Sequence, residues 1–207
     1  MARRRKIVLT KKWSDYIDLH KNRDFIICGR GRSLQLLKDT NSILIGVNDI
    51  EKYRSVDYLV VVDRIAQFTR ENRHEEILNT KSNTFFTQID EYAVGYSNFN
   101  YDKVCKINIK NIRQDHQIDK NICYASNNST FIACSIAINM GARNIGIIGV
   151  DITGHKSLAS ENSLKKINRD YSILNNLHKI YNLSPISKIE ALESISIDDF
   201  HKLNTNE

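Results

Sequence analysis

Five short stretches of this chain combine residue types that can bind or move charge. The first is Phe25-Ile26-Ile27-Cys28-Gly29-Arg30-Gly31-Arg32-Ser33-Leu34. An apolar run enters Gly-x-Gly-x-Ser. Glycines let a backbone turn sharply and come close to a ligand. The free N–H groups at the start of a following helix favour an anion. Arg30 and Arg32 add fork-shaped donors suited to phosphate. The stretch is neither the full dinucleotide fingerprint, because position 34 is Leu with no third glycine, nor a P-loop, because Gly-Lys-Ser/Thr is absent. The bland alternative is a tight turn with no ligand.

The other four stretches follow apolar runs. Asn48 in Gly46-Val47-Asn48-Asp49 and Asp63 in Val62-Asp63-Arg64 could each contact a ribose or a base, or could simply cap a loop. Ala125-Ser126-Asn127-Asn128-Ser129-Thr130 offers hydroxyls and amides ahead of an apolar segment, with Ser129 read as a helix N-cap. Gly149-Val150-Asp151-Ile152-Thr153-Gly154-His155-Lys156 offers a carboxylate and an imidazole as candidate bases and a lysine for a phosphate.

These stretches need a scaffold that brings them together. Strand-like runs at 24–28, 42–47, 57–62, 84–87, 104–109 and 144–150 alternate with helix-like segments at 33–38, 65–78, 129–140, 162–181 and 197–203. Several strands are continuous apolar runs, the pattern of a parallel sheet covered on both faces. Alternation of the two types predicts an α/β, Rossmann-like, doubly wound and mostly parallel sheet flanked by helices. In such sheets ligands bind outside the carboxyl ends of the strands, where Asn48 and Asp63 fall. Residues 90–101 read as a loop or lid.

The chain has 207 residues, enough for one domain, with 41% hydrophobic and 26% charged residues. No apolar run is long enough to span a bilayer and no signal peptide is recognisable, so a cytoplasmic protein without membrane insertion is expected. The four cysteines lack metal-type spacing and read as buried thiols. Residues 1–23 carry eight basic and two acidic residues, which accounts for the whole net charge of +6. They read as a basic arm, with residues 24–207 as a single catalytic domain. Arg3, Arg4, Arg5 and Lys6 are the candidate nucleic-acid contacts; a solvated tail or an anionic membrane surface are the alternatives.

Taken in order, Gly29-x-Gly31-x-Ser33-Leu34, Asn48, Asp63, Ser129 opening an Ala/Ile-rich helix to Gly141, and Gly149-Val150-Asp151 resemble the bacterial sialyltransferases of glycosyltransferase family 42. They resemble equally the MptE-like and Maf-type proteins that share that Rossmann-like core. The resemblance runs from about residue 24 to residue 190. It implies that Gly29, Gly31, Ser33 and Asn48 bind the nucleotide of a nucleotide-sugar, with Asp63, Asn128 and Ser129 at the donor. The family's asparagine and proline in the turn are Arg30 and Arg32 here. Its two phosphate-stabilising tyrosines are absent, with Thr153 and Ala159 near their places, and Lys165 lies near the place of its histidine base. Those departures point to a different donor, a nucleoside diphosphate-sugar being one possibility, and leave Asp151 or His155 as the base. The implied function is glycosyl transfer from a nucleotide-sugar co-substrate, with no cofactor and no metal, to a DNA base or a surface glycan. Diphosphate transfer from ATP to a pterin-type alcohol, or a non-catalytic nucleotide- or nucleic-acid-binding module, are the competing functions.

Overall fold

The computed structural model describes residues 9–89, 99–113, 117–126, 128–152 and 160–203. Its main sheet is built from β1 (Arg23–Cys28), β2 (Ile43–Val47), β3 (Tyr58–Val60), β4 (Thr84–Thr87), β5 (Val104–Lys106), β8 (Ala142–Ile148), β9 (Ile180–Asn182) and β10 (Glu193–Ser194). The strand order is β10-β9-β8-β1-β2-β3-β4-β5, and each pairing is parallel. A second, two-stranded parallel sheet joins β6 (Ile109–Asn111) to β7 (Cys123–Ala125). The order reverses between β1 and β8. From β1 the chain steps outward through β2 to β5, then returns to lay β8 on the other side of β1. The α/β Rossmann-like fold expected from the sequence is the fold observed.

Alternation along the strands builds two cores. Phe25, Ile27, Ile45, Val60 and Ile147 face one layer, which holds helix α2 (Ser129–Asn139) and the inner stripe of α3 (Glu161–Leu177): Ile167, Tyr171 and Leu174. Ile26, Cys28, Leu44, Leu59 and Ile148 face the other, with Ile77 of α1 (Arg73–Leu78) and Phe200 of α4 (Ile197–Lys202). Full burial of each large apolar side chain contributes about 1.5–3 kcal/mol. Helix α2 is buried all round from Thr130 to Asn139, so it is locked between the sheet and α3.

Several predicted elements differ. The 104–109 run splits between β5 and β6, which belong to different sheets. The predicted helix 65–78 is two 3-10 turns, Ile65–Phe68 and Arg70–Asn72, followed by α1. Asn72 sits in the left-handed region at φ 55° and ends the continuity. The helical spacing read through Tyr181 stops at Leu177, where extended His178 leads into β9. Ile180 and Asn182 are buried at strand period, while Tyr181, which extended the helical spacing, points away from them and is only half-buried. The predicted helix 33–38 is a five-residue 3-10 turn, Arg32–Leu36, with Gly31 rather than Ser33 at its N-cap.

Residues 11–22, read from the sequence as part of a basic arm, pack onto the sheet. Lys11 bridges to Cys105 of β5, and Trp13 and Tyr16 stack edge-on against Phe86 at 5.8 and 5.0 Å. The Tyr16 hydroxyl shares a 2.8 Å hydrogen bond with Thr84, and the Asp18 and Asn22 amides donate to the Asn139 and Gly141 carbonyls. Two aromatic residues three apart outweigh the surrounding lysines, whose charged ends stay in water. Residues 1–8, with Arg3, Arg4, Arg5 and Lys6, lie outside the described residues.

His20 and His178 sit in this framework. His20 Nε2 shares a 2.6 Å hydrogen bond with the Tyr58 hydroxyl, and His178 Nε2 is buried with no hydrogen-bond partner among the described residues. Burial depresses both pKa values below the ordinary 6.5; nearby Arg23 also lowers that of His20. Below 6.5 the unfolded chain therefore holds more protons than the folded one, and stability falls as pH drops from that value toward the folded pKa values. Urea midpoints should decline between about pH 7 and pH 5. A His20→Gln, His178→Gln double variant with an undiminished slope would show that the histidines are not the cause.

Candidate functional site

The reversal of strand order puts the carboxyl ends of β1 and β8 side by side. The Gly29 amide donates to the Ile148 carbonyl at 2.8 Å, and the Gly31 amide to the Gly149 carbonyl at 2.6 Å. A Cβ on Gly29 would lie 2.4 Å from the Gly149 oxygen; one on Gly149 would lie 2.2 Å from the Gly29 oxygen. Gly149 also has φ +69°. Two stretches read separately in the sequence thus form one floor, with backbone against backbone where only hydrogen fits.

Asp151 binds that floor together. It is 2% exposed and accepts from the Ser33 amide at 3.0 Å, from the Ser184 hydroxyl at 2.6 Å and, in a short contact, from the Ser33 hydroxyl. Ser33 Oγ in turn accepts from the Gly149 amide at 2.9 Å. Asp151 is expected from the sequence as a catalytic base; in the structure three protein donors occupy its carboxylate and it is almost unexposed, the surroundings of a brace. The same contact alters the predicted anion site. The Ser33 amide, expected to meet a phosphate, is already taken by the chain's own carboxylate, and a single 3-10 turn replaces the helix. Nothing in the sequence singled out Ser184, which follows the unpredicted β9.

The two turn arginines have different surroundings. Arg30 makes a 3.1 Å ion pair with Asp49, donates to the Tyr53 hydroxyl at 3.4 Å and lies 5.6 Å from the centre of the Tyr53 ring. Arg73 of α1 grips the same Asp49 carboxylate with two hydrogen bonds, 2.9 and 2.7 Å. Arg32 is exposed and makes no ion pair among the described residues. Asp49, Tyr53 and Arg73 were not singled out, because an Asp beside an Asn at a strand exit carries no mark of two distant arginines.

Asn48 stands at the end of β2 at φ 57°. Its amide donates to the Val60 carbonyl at 3.0 Å, and its Oδ1 is buried with no hydrogen-bond partner among the described residues. Asparagine tolerates the left-handed region better than other non-glycine residues, so the unusual feature is the unsatisfied buried acceptor. Asp63, beyond β3, is half-buried, and desolvation raises its pKa. Asn128, not Ser129, caps α2: its Oδ1 accepts from the Thr130 amide at 2.9 Å and hydroxyl at 2.6 Å. Ser129 is half-buried in the first turn. No hydrogen bond among the described residues joins Asn128 or Ser129 to the glycine turn. Ile152, also left-handed at φ 58°, carries strain at the exit of β8. For a β-branched residue that costs on the order of 1–3 kcal/mol. His155 lies outside the described residues.

A separate polar cleft of 540 Å³ opens at the amino ends of the strands, lined by Arg23, Asp24, Arg143 and His201 among others. It lies at the wrong edge of the sheet for the ligands such folds bind, and its buried Asp24 is engaged by Arg143 at 3.3 Å and Asn144 at 3.0 Å. Among the described residues no cluster of His, Cys, Asp or Glu is arranged to hold a metal, and no helix is long and apolar enough to cross a membrane.

No protein-family model matches the sequence, and no curated protein matches it. Solved structures do. The chain is similar to an α-2,3-sialyltransferase from Campylobacter jejuni in apo form at 12% identity and a TM-score of 0.52, covering 95% of this chain and 85% of that one. It is similar to a sialyltransferase of the same organism in complex with cytidine-5'-monophosphate at 15% identity and a TM-score of 0.50, covering 84% and 85%. It is also similar to the Maf glycosyltransferase of Magnetospirillum magneticum at 12% identity and a TM-score of 0.54; there it covers 89% of this chain but only 37% of the larger protein. At these identities the likeness establishes a shared fold.

Proposed function

We propose that this chain is a glycosyltransferase that transfers a sugar from a nucleotide-sugar donor without a metal ion. The observation that carries the reading is the β1–β8 switch point, where the Gly29–Gly149 floor and the unsatisfied Asn48 Oδ1 both stand at the carboxyl edge. Open α/β sheets bind ligands there, and a buried acceptor with no donor among the described residues suits a donor brought by a ligand. The Oδ1 is suited to a ribose hydroxyl or a base amino group. Two of the similar folds belong to sialyltransferases, one of them solved with a cytidine nucleotide.

Transfer requires an acceptor hydroxyl to lose its proton and a leaving phosphate to be stabilised. Arg30 and Arg32 supply positive charge beside the glycines. With Asp151 committed to the floor, His155 takes the role of base. Gly29, Gly31 and Ser33 shape the donor seat, with Asp63, Asn128 and Ser129 as flanking contacts. The acceptor is DNA, drawn by the basic residues 3–6 in a cytoplasmic setting, or a surface glycan. Salt-dependent duplex binding that disappears when residues 1–8 are deleted distinguishes the first.

A thermal-shift screen of CMP, UDP, GDP and ATP, with and without Mg²⁺, tests the donor. A ligand at 100 times its Kd stabilises by about 2.7 kcal/mol. Asn48→Ala should weaken the best nucleotide about tenfold, the worth of roughly one buried hydrogen bond. The absence of any shift with all four nucleotides would refute the reading. Strict magnesium dependence with release of AMP would replace it by diphosphate transfer.

A further inference from the structure

We propose that Tyr53, steadied by Arg30, is the platform on which the base of the donor nucleotide stacks. The proposal rests on the nucleotide-sugar donor and places its base. Tyr53 is 56% exposed and is the one exposed aromatic side chain among the described residues. It is nevertheless fixed at both ends. Its amide donates to the Ile50 carbonyl at 2.8 Å, and its hydroxyl accepts from Arg30 Nη2 at 3.4 Å. The Arg30 guanidinium carbon lies 5.6 Å from the ring centre, within reach of a cation–π attraction. Arg30 is itself anchored by a 3.1 Å ion pair to Asp49, whose side chain is fully buried. The next residue, Arg54, donates to the Leu37 and Lys38 carbonyls at 2.8 Å each, which ties this segment to the chain leaving the glycine turn. A ring held still in water loses little freedom when a flat ligand covers it.

The placement suits a base more than any other part of the donor. In open sheets of this class the phosphates lie over the glycine turn, and the ribose meets a residue about twenty positions on, at the exit of the second strand. Asn48 stands at that exit, directly after β2. The base extends beyond the ribose, away from the phosphates. Tyr53 stands in the same β2–β3 connection, five residues past Asn48. Arg30 follows Gly29 directly, so it joins the ring to the floor of the crevice. Stacking uses the flat face that every base presents. The ring therefore supplies affinity, and the Asn48 Oδ1 supplies choice at the base or ribose edge. In this arrangement Tyr53 and Asn48 touch the donor, and Arg30 also positions the ring.

Calorimetry on the full chain tests this with whichever of CMP, UDP, GDP and ATP binds most tightly. The comparison ligand is ribose 5-phosphate, which lacks a base and is measured by its displacement of that nucleotide. Tyr53→Ala should weaken the nucleotide at least about tenfold and leave ribose 5-phosphate within about twofold of its affinity for the parent. Tyr53→Phe, which keeps the ring and loses the hydroxyl, should retain most of the nucleotide's affinity. An exposed side chain tolerates both changes, so the urea midpoints should stay near the parent's. Unchanged nucleotide affinity in Tyr53→Ala overturns the platform while leaving the nucleotide donor in place. An equal loss for both ligands also overturns it, and Tyr53 then acts only by positioning Arg30. A loss in Tyr53→Phe as large as in Tyr53→Ala overturns it too, because the ring alone then contributes nothing. If none of the four nucleotides binds the parent, the nucleotide-sugar reading itself fails.

Discussion

Gly149→Ala is expected to lower stability by about 3–5 kcal/mol, combining overpacking against backbone with a left-handed alanine. The added Cβ would sit 2.2 Å from the Gly29 oxygen, a contact no rotamer change relieves. Moving the Gly29 backbone away would break its N–H hydrogen bond to the Ile148 carbonyl and separate β1 from β8 at the switch point of the sheet. Gly146→Ala, on the same strand, gives the comparison. Its Cβ would meet a side-chain carbon of Leu183 at 2.4 Å. A side-chain tip can turn aside, so the cost there should be smaller. Urea midpoints of the two variants measure the difference. A Gly149→Ala protein within about 1 kcal/mol of the parent would mean that the two turns are not in fixed contact.

Asp151→Ala should cost about 3 kcal/mol or more. It strands the Ser33 amide and the Ser33 and Ser184 hydroxyls in a site where all three residues are 2% exposed. Each buried donor left without an acceptor costs about 1–3 kcal/mol, and the total falls short of the sum because hydroxyls can reorient. Asp151→Asn separates a brace from a base. A base replaced by asparagine leaves stability intact and abolishes transfer. A brace so replaced keeps one carbonyl acceptor but turns an amide N–H₂ toward donors, so the denaturation midpoint falls and nucleotide affinity falls with it as the glycine turn loosens. An Asp151→Asn protein with the parent's midpoint and affinity would restore Asp151 as a candidate base.

Much of the fold was legible before the structure. The apolar runs of β1, β2, β3, β4 and β8 are local signals, and burial on both faces leaves them no polar alternation to confuse. The glycines at 29 and 31 were equally visible as places of close approach, whereas Gly149 was not read as one. The short elements were not legible. Strands β9 and β10 carry three and two residues, too few for a period to declare itself, and β9 also continues a helical spacing. The break at Asn72 depends on a left-handed backbone that many asparagines do not adopt.

The candidate site divides along the same line. Residue type and spacing alone determined that this chain is an α/β protein with a glycine turn at a central strand exit, and that Asn48 and Asp63 fall at the same edge. Only the tertiary structure decided what the charged residues do. Ser33 and Asp151 are 118 positions apart, and Arg30 and Asp49 belong to different strand exits. A carboxylate at a strand end looks the same in sequence whether it faces water, a substrate or a buried serine. Its role is set by burial and by which donors converge on it, and that convergence exists only once β8 has been laid beside β1.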